Sequence, residues 1–562
     1  MGVGQIVQGT IFIMREARRR FSSRYFPAGA LLGLAVILAF AGFFYFYRIS
    51  EQGIFTQDEA RYLIVSNTYA TLIGAAVNNY FFNSGQSFSD VITSHASVGF
   101  STLGKPLYIF LTSFIFFIFG RHDYIAFITN GIIGLFSIVV LYFLTISATK
   151  NVKLALLASL IFGISGYQIF FARSGNPHVL AGLFLLLGSL AYSKTLAGNG
   201  ADSQTRRNLI AAGFFWGFLF TAHYITGLVL LLIFVFECIR ALSGRRIAAD
   251  CIRRLVYLFI PAAAVVAGAA AFIFFFRSYF LPASFPFNAY ALSYFMELYR
   301  LFNAGVAYTR LITHDPLFFF RMLNILNGMP FMALFLAAPA VFFAKKWHRD
   351  PQRAFIFFVT FLTFAVVSTI PIAGTRSIVL LNGFISFVVA LILYETFTFE
   401  KRSYRIAAAA LAVILIGIQL QKNFEIINIR SGYKQAADFI VSSNLRHENI
   451  YSSLWPISDF YLDKVTRTMD ERWSEPSKML YRPDPAATPG VVVAIVIDRV
   501  RRLSYAKDEL EKVELLAAFD NPVMLSRLAR FEQGDYRGNY GQRSKIFVYR
   551  VWLRTRQLNA AP

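Results

Sequence analysis

Long apolar runs constrain the fold of this chain more than any other feature. Between residues 26 and 421 they recur at lengths of about 17 to 25 residues, which as helix cross ~30 Å of hydrocarbon. Of the 562 residues, 56% are hydrophobic, 15% are charged and 62 are phenylalanines, a composition that is wrong for an ordinary water-soluble protein. The runs therefore predict a mostly α-helical, polytopic membrane protein.

Basic residues beside the runs predict how the chain is oriented. The segment 1–27, before the first run at 28–47, is rich in arginine, which favours the cytoplasmic side. No small-residue cleavage pattern follows this run, so we interpret it as an anchor and not as a removed signal. The N-terminus is then cytoplasmic, and a first external loop extends over 48–104.

Short basic loops extend this topology along the chain. The loops predicted inside are 150–153, 194–207, 240–254, 345–353 and 401–405, and those predicted outside include 173–178, 223, 277–315 and 371–376. The apolar segment 105–120 has only about 16 residues, which is short for a span, and we interpret it as juxtamembrane or re-entrant. About eleven spans follow, within a transmembrane domain over 28–421.

The tail, 422–562, has frequent charges and shorter apolar runs. Spacing predicts a helix over 431–445 and strands over 449–454, 491–497 and 545–553. We therefore expect a soluble, extracytoplasmic α/β domain. It contains no glycine-rich phosphate loop, zinc spacing or nucleophile elbow, so we expect it to recognise substrate or cap a site and not to catalyse.

The net charge of +23 does not indicate a nucleic-acid partner, because the basic residues concentrate in short loops, where topology requires them, and in the tail. The two cysteines, Cys238 and Cys251, are both predicted at the cytoplasmic ends of spans, so no external disulfide framework is expected. Membrane lipids are the expected surroundings. A bacterial inner membrane with a periplasmic tail is compatible with these features.

The segment Thr56-Gln-Asp-Glu-Ala-Arg-Tyr62 directly follows the first span and begins an amphipathic pattern. We expect this helix to lie on the outer membrane surface. Asp58 and Arg61 are one turn apart, where a carboxylate and a guanidinium could face an acceptor hydroxyl and a phosphate. The alternative is structural: Thr56 and Glu59 form a capping box, and Asp58 complements the helix dipole.

An Asp-Glu pair just after the first span resembles the signature of the GT-C glycosyltransferases, particularly the protein O-mannosyltransferases and the aminoarabinose transferases that modify lipid A. The resemblance covers nearly the whole chain. It continues in Leu103-Gly-Lys-Pro-Leu107, Phe171-Ala-Arg-Ser-Gly-Asn-Pro177, Leu219-Phe-Thr-Ala-His-Tyr224, Gly374-Thr-Arg376 and the tail segments 433–444 and 545–551. It implies a GT-C type helical bundle with a C-terminal soluble domain.

The chain also departs from the family pattern. Gly104 stands where the aminoarabinose-type members have an acid, and Asn176 replaces an expected Asp. Glu297 and Arg300 stand where related enzymes often have a His or Asn before an Arg. Fewer external acids make a fixed metal site less expected, so no cofactor is certain, and participation of a divalent cation is left open.

The resemblance implies an inverting transfer from a polyprenyl-phosphate sugar, undecaprenyl or dolichyl, to a lipid, glycan or protein acceptor at the outer face. Asp58 and Glu59 would be the catalytic residues, with Asp58 as the general base. Cations would surround the leaving phosphate. The candidates are Arg61, Lys105, Arg173 and Arg376 for the phosphate, and Tyr62, His178, His223, Glu297 and Arg300 for substrate contacts.

The sequence also allows structural roles for these residues and two different functions for the chain. Basic residues at span ends often extend to lipid headgroups, and a lone histidine there is commonly an interfacial hydrogen-bonding residue. A transporter or lipid flippase should carry ionisable residues in mid-span, whereas these runs are nearly free of charge. A non-catalytic scaffold that presents the tail would tolerate Asp58→Asn.

Overall fold

A computed structural model gives the fold, and a single chain is present. The residues that the structure describes are 28–82, 85, 105–196, 203–243, 248–280, 317–369, 375–452, 455–463, 467–468, 470–471, 481–482, 491–497, 510–521 and 544–553. The N-terminal segment 1–27 and most of the external loop after residue 82 lie outside this set.

The described part of the chain is predominantly helical. Its α-helices are α1 (Ala28–Phe46), α2 (Ile49–Gln52), α3 (Gln57–Phe82), α4 (Pro106–Phe119), α5 (Asp123–Thr149), α6 (Val152–Gly163), α7 (Gly166–Ala172), α8 (His178–Leu196), α9 (Ser203–Ala222), α10 (Gly227–Ser243), α11 (Ala248–Phe280), α12 (Phe318–Asn327), α13 (Met329–Ala344), α14 (Pro351–Thr369), α15 (Asn382–Phe397), α16 (Arg402–Ile427), α17 (Gly432–Ser442) and α18 (Trp455–Leu462). Three short 3-10 helices lie at Tyr224–Thr226, Trp347–Arg349 and Thr375–Leu381.

Several of these helices are long and apolar enough to cross a membrane. Among the described residues seven meet this condition, and α6 and α7, which are bent by 57° where they meet, would form an eighth. α4 and α13 are apolar but shorter. A mostly helical fold with helices of membrane-spanning length is thus confirmed, whereas the count of about eleven spans stays a prediction.

The two ends of α5 and α8 mark the two sides of the helical bundle. At one end, the hydroxyl groups of Ser147 and Ser193 are 2.9 Å apart, and the Gln352 amide donates to the Ser193 carbonyl at 2.7 Å. Asp123 and His178 begin the same two helices at the other end. Ser147, Ser193 and Gln352, each in or beside one of the basic loops predicted inside, are therefore close together in the fold.

A buried ion pair occupies the first of these ends. The carboxylate of Glu237, 1% exposed, accepts hydrogen bonds from Tyr192 at 2.5 Å, Arg254 at 3.0 Å and Arg240 at 2.8 Å. The apolar runs were expected to be nearly free of charge, so this buried acid was not predicted. It is tolerated because neighbouring donors replace the water that it loses.

The break between α6 and α7 is satisfied by side chains from other helices. The Ser165 hydroxyl lies 2.9 Å from Asn327 Oδ1 and within 3.3 Å of Asn382, and the Asn423 amide donates to the Ile164 carbonyl at 2.7 Å. Irregular backbone at membrane depth requires such partners. At Gly166 a Cβ would lie 2.1 Å from the Leu326 carbonyl oxygen, so only glycine allows this close approach.

The tail carries a five-stranded mixed sheet. Its strands are β1 (Asn449–Ser452), β2 (Arg467–Thr468), β5 (Val491–Ile497), β6 (Leu510–Asn521) and β7 (Ser544–Leu553), and β3 (Asp470–Glu471) pairs separately with β4 (Tyr481–Arg482). The order is β2-β1-β5-β7-β6, with β1 parallel to β2 and β5, and β7 antiparallel to β5 and β6. Helix α17 packs on β6 and β7. The helix and the three strands predicted in the tail are each present, within a few residues of the predicted bounds.

Helix α3 lies between two hydrophobic clusters. One side contributes Val65, Tyr69 and Leu72 to the main core of the helical bundle. The opposite side contributes Leu63 and Ile64 to a second cluster, which includes buried residues of α17, α18, β5 and β7. The prediction of a helix lying on a surface with one apolar face is therefore wrong for its first half, because the tail covers the side that was assigned to water.

Helix packing predicts different effects for two glycines. A Cβ at Gly213 in α9 would lie 2.2 Å from the Leu258 carbonyl oxygen of α11, whereas a Cβ at Gly268 would meet no heavy atom within 4 Å. We expect Gly213→Ala to destabilise the protein by about 1–3 kcal/mol, because the two helices must move apart. Thermal unfolding in detergent checks this, with Gly268→Ala as the control. Equal melting temperatures would contradict the close packing of α9 on α11.

Candidate functional site

The acidic pair at the start of α3 has two different environments. The carboxylate of Glu59 is fully buried and accepts hydrogen bonds from the backbone N–H groups of Phe55 at 3.1 Å and Gly175 at 2.5 Å. The Glu59 N–H in turn donates to the Thr56 hydroxyl at 3.2 Å. The capping interaction predicted for Thr56 is thus present, and Glu59 also joins α3 to the turn that follows α7.

Asp58 lies on the open side of the same helical turn. Its side chain is 33% exposed, and its Oδ1 is 3.8 Å from a guanidinium nitrogen of Arg61, which is 37% exposed. Such a pair contributes little to stability. The two neighbouring carboxylates therefore differ in accessibility, and Asp58 is the one that a substrate can reach.

Lys105 is buried against two aromatic rings. Only 6% of the residue is exposed, and its ammonium nitrogen lies 4.7 Å from the ring centroid of Tyr62 and 5.1 Å from that of Tyr224. Ring faces attract a cation. Lys105, just before α4, is therefore held beside Tyr62, which lies one helical turn along α3 from Asp58.

Two histidines extend this aromatic group. The rings of His178 and His223 have centroids 4.5 Å apart, and His223 stacks on Tyr224 with centroids at 5.3 Å and an interplanar angle of 19°. His178 also contacts the ring of Phe171 at 6.0 Å. The fold thus brings the predicted substrate residues Tyr62, His178 and His223 into one continuous wall beside Lys105.

Arg173 is placed differently from its prediction. It is fully buried, and its Nη1 donates to the carbonyl oxygens of Phe44 at 2.8 Å, Tyr45 at 3.2 Å and Tyr47 at 3.0 Å. Its Nε donates to the Gln52 side chain at 2.7 Å, and the Gln52 amide donates back to the Arg173 carbonyl. The guanidinium therefore caps the C-terminal end of α1, where the last carbonyls lack helical partners.

The turn after α7 is held by an amide that the sequence analysis did not single out. Asn130 in α5 donates to the carbonyl oxygens of Ser174 at 2.5 Å and Asn176 at 2.9 Å. The Asn176 amide donates to the Ser174 hydroxyl at 3.0 Å. A signal was available, because Asn130 is a polar residue inside an apolar run, and such residues are rare unless they have a partner.

The remaining predicted residues are placed only in part. Arg376 belongs to the 3-10 helix Thr375–Leu381, although its side chain is not described. Glu297 and Arg300 lie outside the described residues. Within the described ranges, no group of three or more His, Cys, Asp and Glu side chains could hold a metal ion.

Comparison with known proteins gives a likeness of fold. No family model and no curated protein sequence matches the chain. ArnT from Cupriavidus metallidurans, solved in the apo state, aligns with a TM-score of 0.54 at 12% identity over 92% of this chain and 98% of that one. A structure of the same enzyme bound to undecaprenyl phosphate aligns with the same TM-score and identity, over 92% and 97% of the two chains.

A second protein shows the same likeness. The archaeal oligosaccharyltransferase AglB from Archaeoglobus fulgidus, in complex with an inhibitory peptide and a dolichol-phosphate, aligns with a TM-score of 0.53 at 12% identity, over 83% of this chain and 69% of that one. ArnT and AglB both belong to the GT-C superfamily. This chain has the GT-C fold. The resemblance noted from the Asp-Glu pair is thereby confirmed at the level of the fold.

In this GT-C fold the described polar groups form a site with two parts. An accessible carboxylate, Asp58, lies in the first turn of α3, and Lys105 lies over the rings of Tyr62, one turn further along α3, and Tyr224, which stacks on His223. A carboxylate can orient or deprotonate a hydroxyl group, and a lysine ammonium can hold a phosphate. The arrangement suits an acceptor hydroxyl and a phosphorylated donor that meet next to α3.

The placement of Arg173 predicts a stability defect. Arg173→Met removes the donor from three backbone carbonyls and from Gln52, and buried acceptors without donors cost about 1–3 kcal/mol each. We therefore expect a loss of about 3 kcal/mol or more in the free energy of unfolding, measured by denaturation in detergent. Arg253→Met is the control, since the side chain of Arg253 is 50% exposed and pairs with Asp250 at the surface. A variant with normal stability and weaker donor binding would return Arg173 to the phosphate-binding role.

Proposed function

We propose that the chain is an integral-membrane glycosyltransferase that moves a sugar from a polyprenyl-phosphate carrier to an acceptor at the extracytoplasmic face. The accessible carboxylate of Asp58 beside the held cation Lys105 carries the proposal. The GT-C fold supports it, because the solved structures named above are of transferases in this superfamily. The proposed orientation has the N-terminus in the cytoplasm and the tail outside, in a bacterial inner membrane.

Asp58 is the proposed general base. It orients the acceptor hydroxyl and takes its proton while the new glycosidic bond forms and the bond between the sugar and the phosphate breaks. The sugar carbon is attacked from the side opposite the phosphate, so its configuration inverts. Because a carboxylate in the first turn of a helix is a weak base, orientation of the hydroxyl contributes more than proton transfer.

Glu59 has a supporting role in this proposal. Both of its oxygens already accept backbone hydrogen bonds, from Phe55 and Gly175, and its side chain is buried. A carboxylate in that position can fix the first turn of α3 but has no open face toward a substrate. We therefore separate the two acids that the sequence grouped together as catalytic.

The leaving phosphate is proposed to bind at Lys105. Charge grows on the phosphate oxygens as the sugar leaves, so a fixed cation in a site shielded from water lowers the barrier. Arg61 contributes from the exposed face of α3, and Arg376 from the segment before α15. Tyr62, His178 and His223 line the same wall and are proposed to contact the donor.

We propose that the donor sugar is carried by a polyprenyl phosphate. One ArnT structure contains undecaprenyl phosphate, and the AglB structure contains a dolichol-phosphate. A long isoprenoid tail suits a bundle whose exposed surface is rich in phenylalanine, leucine and isoleucine side chains. The first experiment determines whether the sugar is a hexose or a pentose. It also determines whether the acceptor is a lipid, a glycan or a protein.

Asp58→Asn is expected to reduce transfer by about 10²–10⁴-fold, because the amide cannot take the proton and its NH2 group replaces an oxygen that would accept from and orient the acceptor hydroxyl. Membranes that contain wild type or variant at equal levels are supplied with radiolabelled polyprenyl-phosphate sugars, and label in lipid, glycan and protein is measured. Asp250→Asn is the control, since Asp250 is 48% exposed at the opposite side of the bundle. Equal transfer by Asp58→Asn and wild type would reduce Asp58 to a helix-capping residue and favour a transporter or scaffold.

Lys105→Met is expected to weaken use of the donor. A hydrogen bond to a charged group contributes about 1.5–3 kcal/mol, so KM for the donor should rise about tenfold to a hundredfold. Initial rates at varied donor concentration measure this. Lys345→Met is a matched control, because Lys345 also lies over an aromatic ring, that of Phe399 at 4.7 Å, away from the site. An unchanged KM with unchanged kcat would exclude Lys105 from the donor site.

A further inference from the structure

The segment between the first span and α3 is held by the tail. This connecting segment, residues 50–54, offers four backbone groups to tail side chains or backbone. Ser431 donates from its N–H to the Gln52 carbonyl at 2.7 Å and from its hydroxyl to the Ile54 carbonyl at 2.6 Å. Lys434 donates to the Ser50 carbonyl at 2.7 Å, and the Ile54 N–H donates to the Tyr461 hydroxyl at 2.7 Å.

Gly53 shows how closely the tail approaches the connecting segment. Its φ of +77° is in the region that glycine tolerates and other residues rarely adopt. A Cβ at this position would lie 2.8 Å from Ser431 Cβ, 3.1 Å from Lys434 Cβ and 3.1 Å from the Tyr461 hydroxyl oxygen. The segment can therefore keep this path only while residue 53 lacks a side chain.

Tyr461 links the connecting segment to the membrane domain. Its hydroxyl accepts from Ile54 and donates to Asp123 Oδ2 at 2.7 Å. Asp123, buried at the start of α5, also pairs with Lys434 at 3.1 Å. Burial, followed by the nearby Asp123 carboxylate, raises the pKa of Tyr461 well above its ordinary value. The hydroxyl therefore stays protonated and can keep donating to Asp123 at any physiological pH.

The hydrogen bonds continue from this link to the proposed base. Ile54 is followed by Phe55, whose N–H is bound by Glu59, and by Thr56, whose hydroxyl caps the first turn of α3. Asp58 is in that first turn. The direction in which α3 begins is therefore fixed by Tyr461 on one side of Ile54 and by Glu59 on the other.

We infer that the tail is a working part of the active site, with Tyr461 as a positioning residue that sets the place of Asp58. The inference rests on the proposed function, since it assigns the tail a part in the reaction of that same site. Lys434 and Asp123 hold Tyr461 in turn. Lys105 lies over the rings of Tyr62 and Tyr224, beyond the first turn of α3 that Tyr461 and Glu59 fix, so loss of the Tyr461 hydroxyl should move Asp58 more than the donor cation.

Tyr461→Phe tests the inference, because it keeps the ring and removes both hydrogen bonds. We expect kcat to fall about tenfold while KM for the donor stays within about twofold, since a misplaced catalytic group slows the chemical step and not donor binding. Amide hydrogen exchange in a peptide covering 48–62 should become faster. Tyr404→Phe is the control, since Tyr404 is 49% exposed near the start of α16, away from the tail.

Gly53→Ala provides a second, independent disturbance of the same contact. It should give the same pattern, lower kcat and faster exchange over 48–62, whereas Gly29→Ala should not, because a Cβ there meets nothing within 4 Å. Wild-type kcat per folded molecule in both Tyr461→Phe and Gly53→Ala would overturn the inference, even if the melting temperature falls.

The same set of variants separates this inference from the proposed function. If Asp58→Asn is inactive and both Tyr461→Phe and Gly53→Ala have wild-type kcat, the proposed function stands and the positioning role of the tail fails. If Asp58→Asn is fully active, the proposed function fails. Any role of Tyr461 in that reaction then fails too, whatever the amide hydrogen exchange over 48–62 shows. Reduced kcat in Tyr461→Phe together with inactive Asp58→Asn supports both.

Discussion

The buried carboxylate of Glu59 is the interaction on which the arrangement of the site depends. It binds the backbone of Phe55, just before its own helix, and that of Gly175, in the turn after α7. A buried charge is stable only when hydrogen bonds replace its lost hydration. Glu59 therefore holds the start of α3 and the turn after α7 together. Through this link it helps to place Asp58, its neighbour in α3, and His178, which lies just beyond Gly175.

The turn that Glu59 binds is itself the product of a broken span. The backbone between α6 and α7 leaves helical geometry, and buried asparagine side chains satisfy it: Asn327 accepts from the Tyr167 N–H, and Asn423 donates to the Ile164 carbonyl. The 57° bend then directs α7 toward the site, where Arg173 caps α1 and Asn130 binds the next carbonyls. Interruptions of this kind occur at membrane depth only where protein surrounds them.

Charges within the described residues fall into two groups at opposite ends of the bundle. Glu237 pairs with Arg240 and Arg254 at one end, in a buried network that holds α10 and α11 together. At the other end Asp58 stays accessible and Lys105 lies over aromatic rings. A transporter would be expected to carry such groups along a path through the middle of its spans. The separation supports chemistry at one membrane face.

The sequence by itself determined the features that depend on local pattern. Apolar runs predicted the helices, β-branched and alternating runs predicted β1, β5 and β7, and Thr56 with Glu59 predicted the start of α3, because hydration and capping act over a few neighbouring residues. The tertiary structure alone decided the rest. Arg173 became a cap, and Tyr461 came to bind Ile54, because those contacts join residues far apart in the chain. No local period encodes the partner of a buried polar group, since any segment that supplies a donor at the right place can satisfy it.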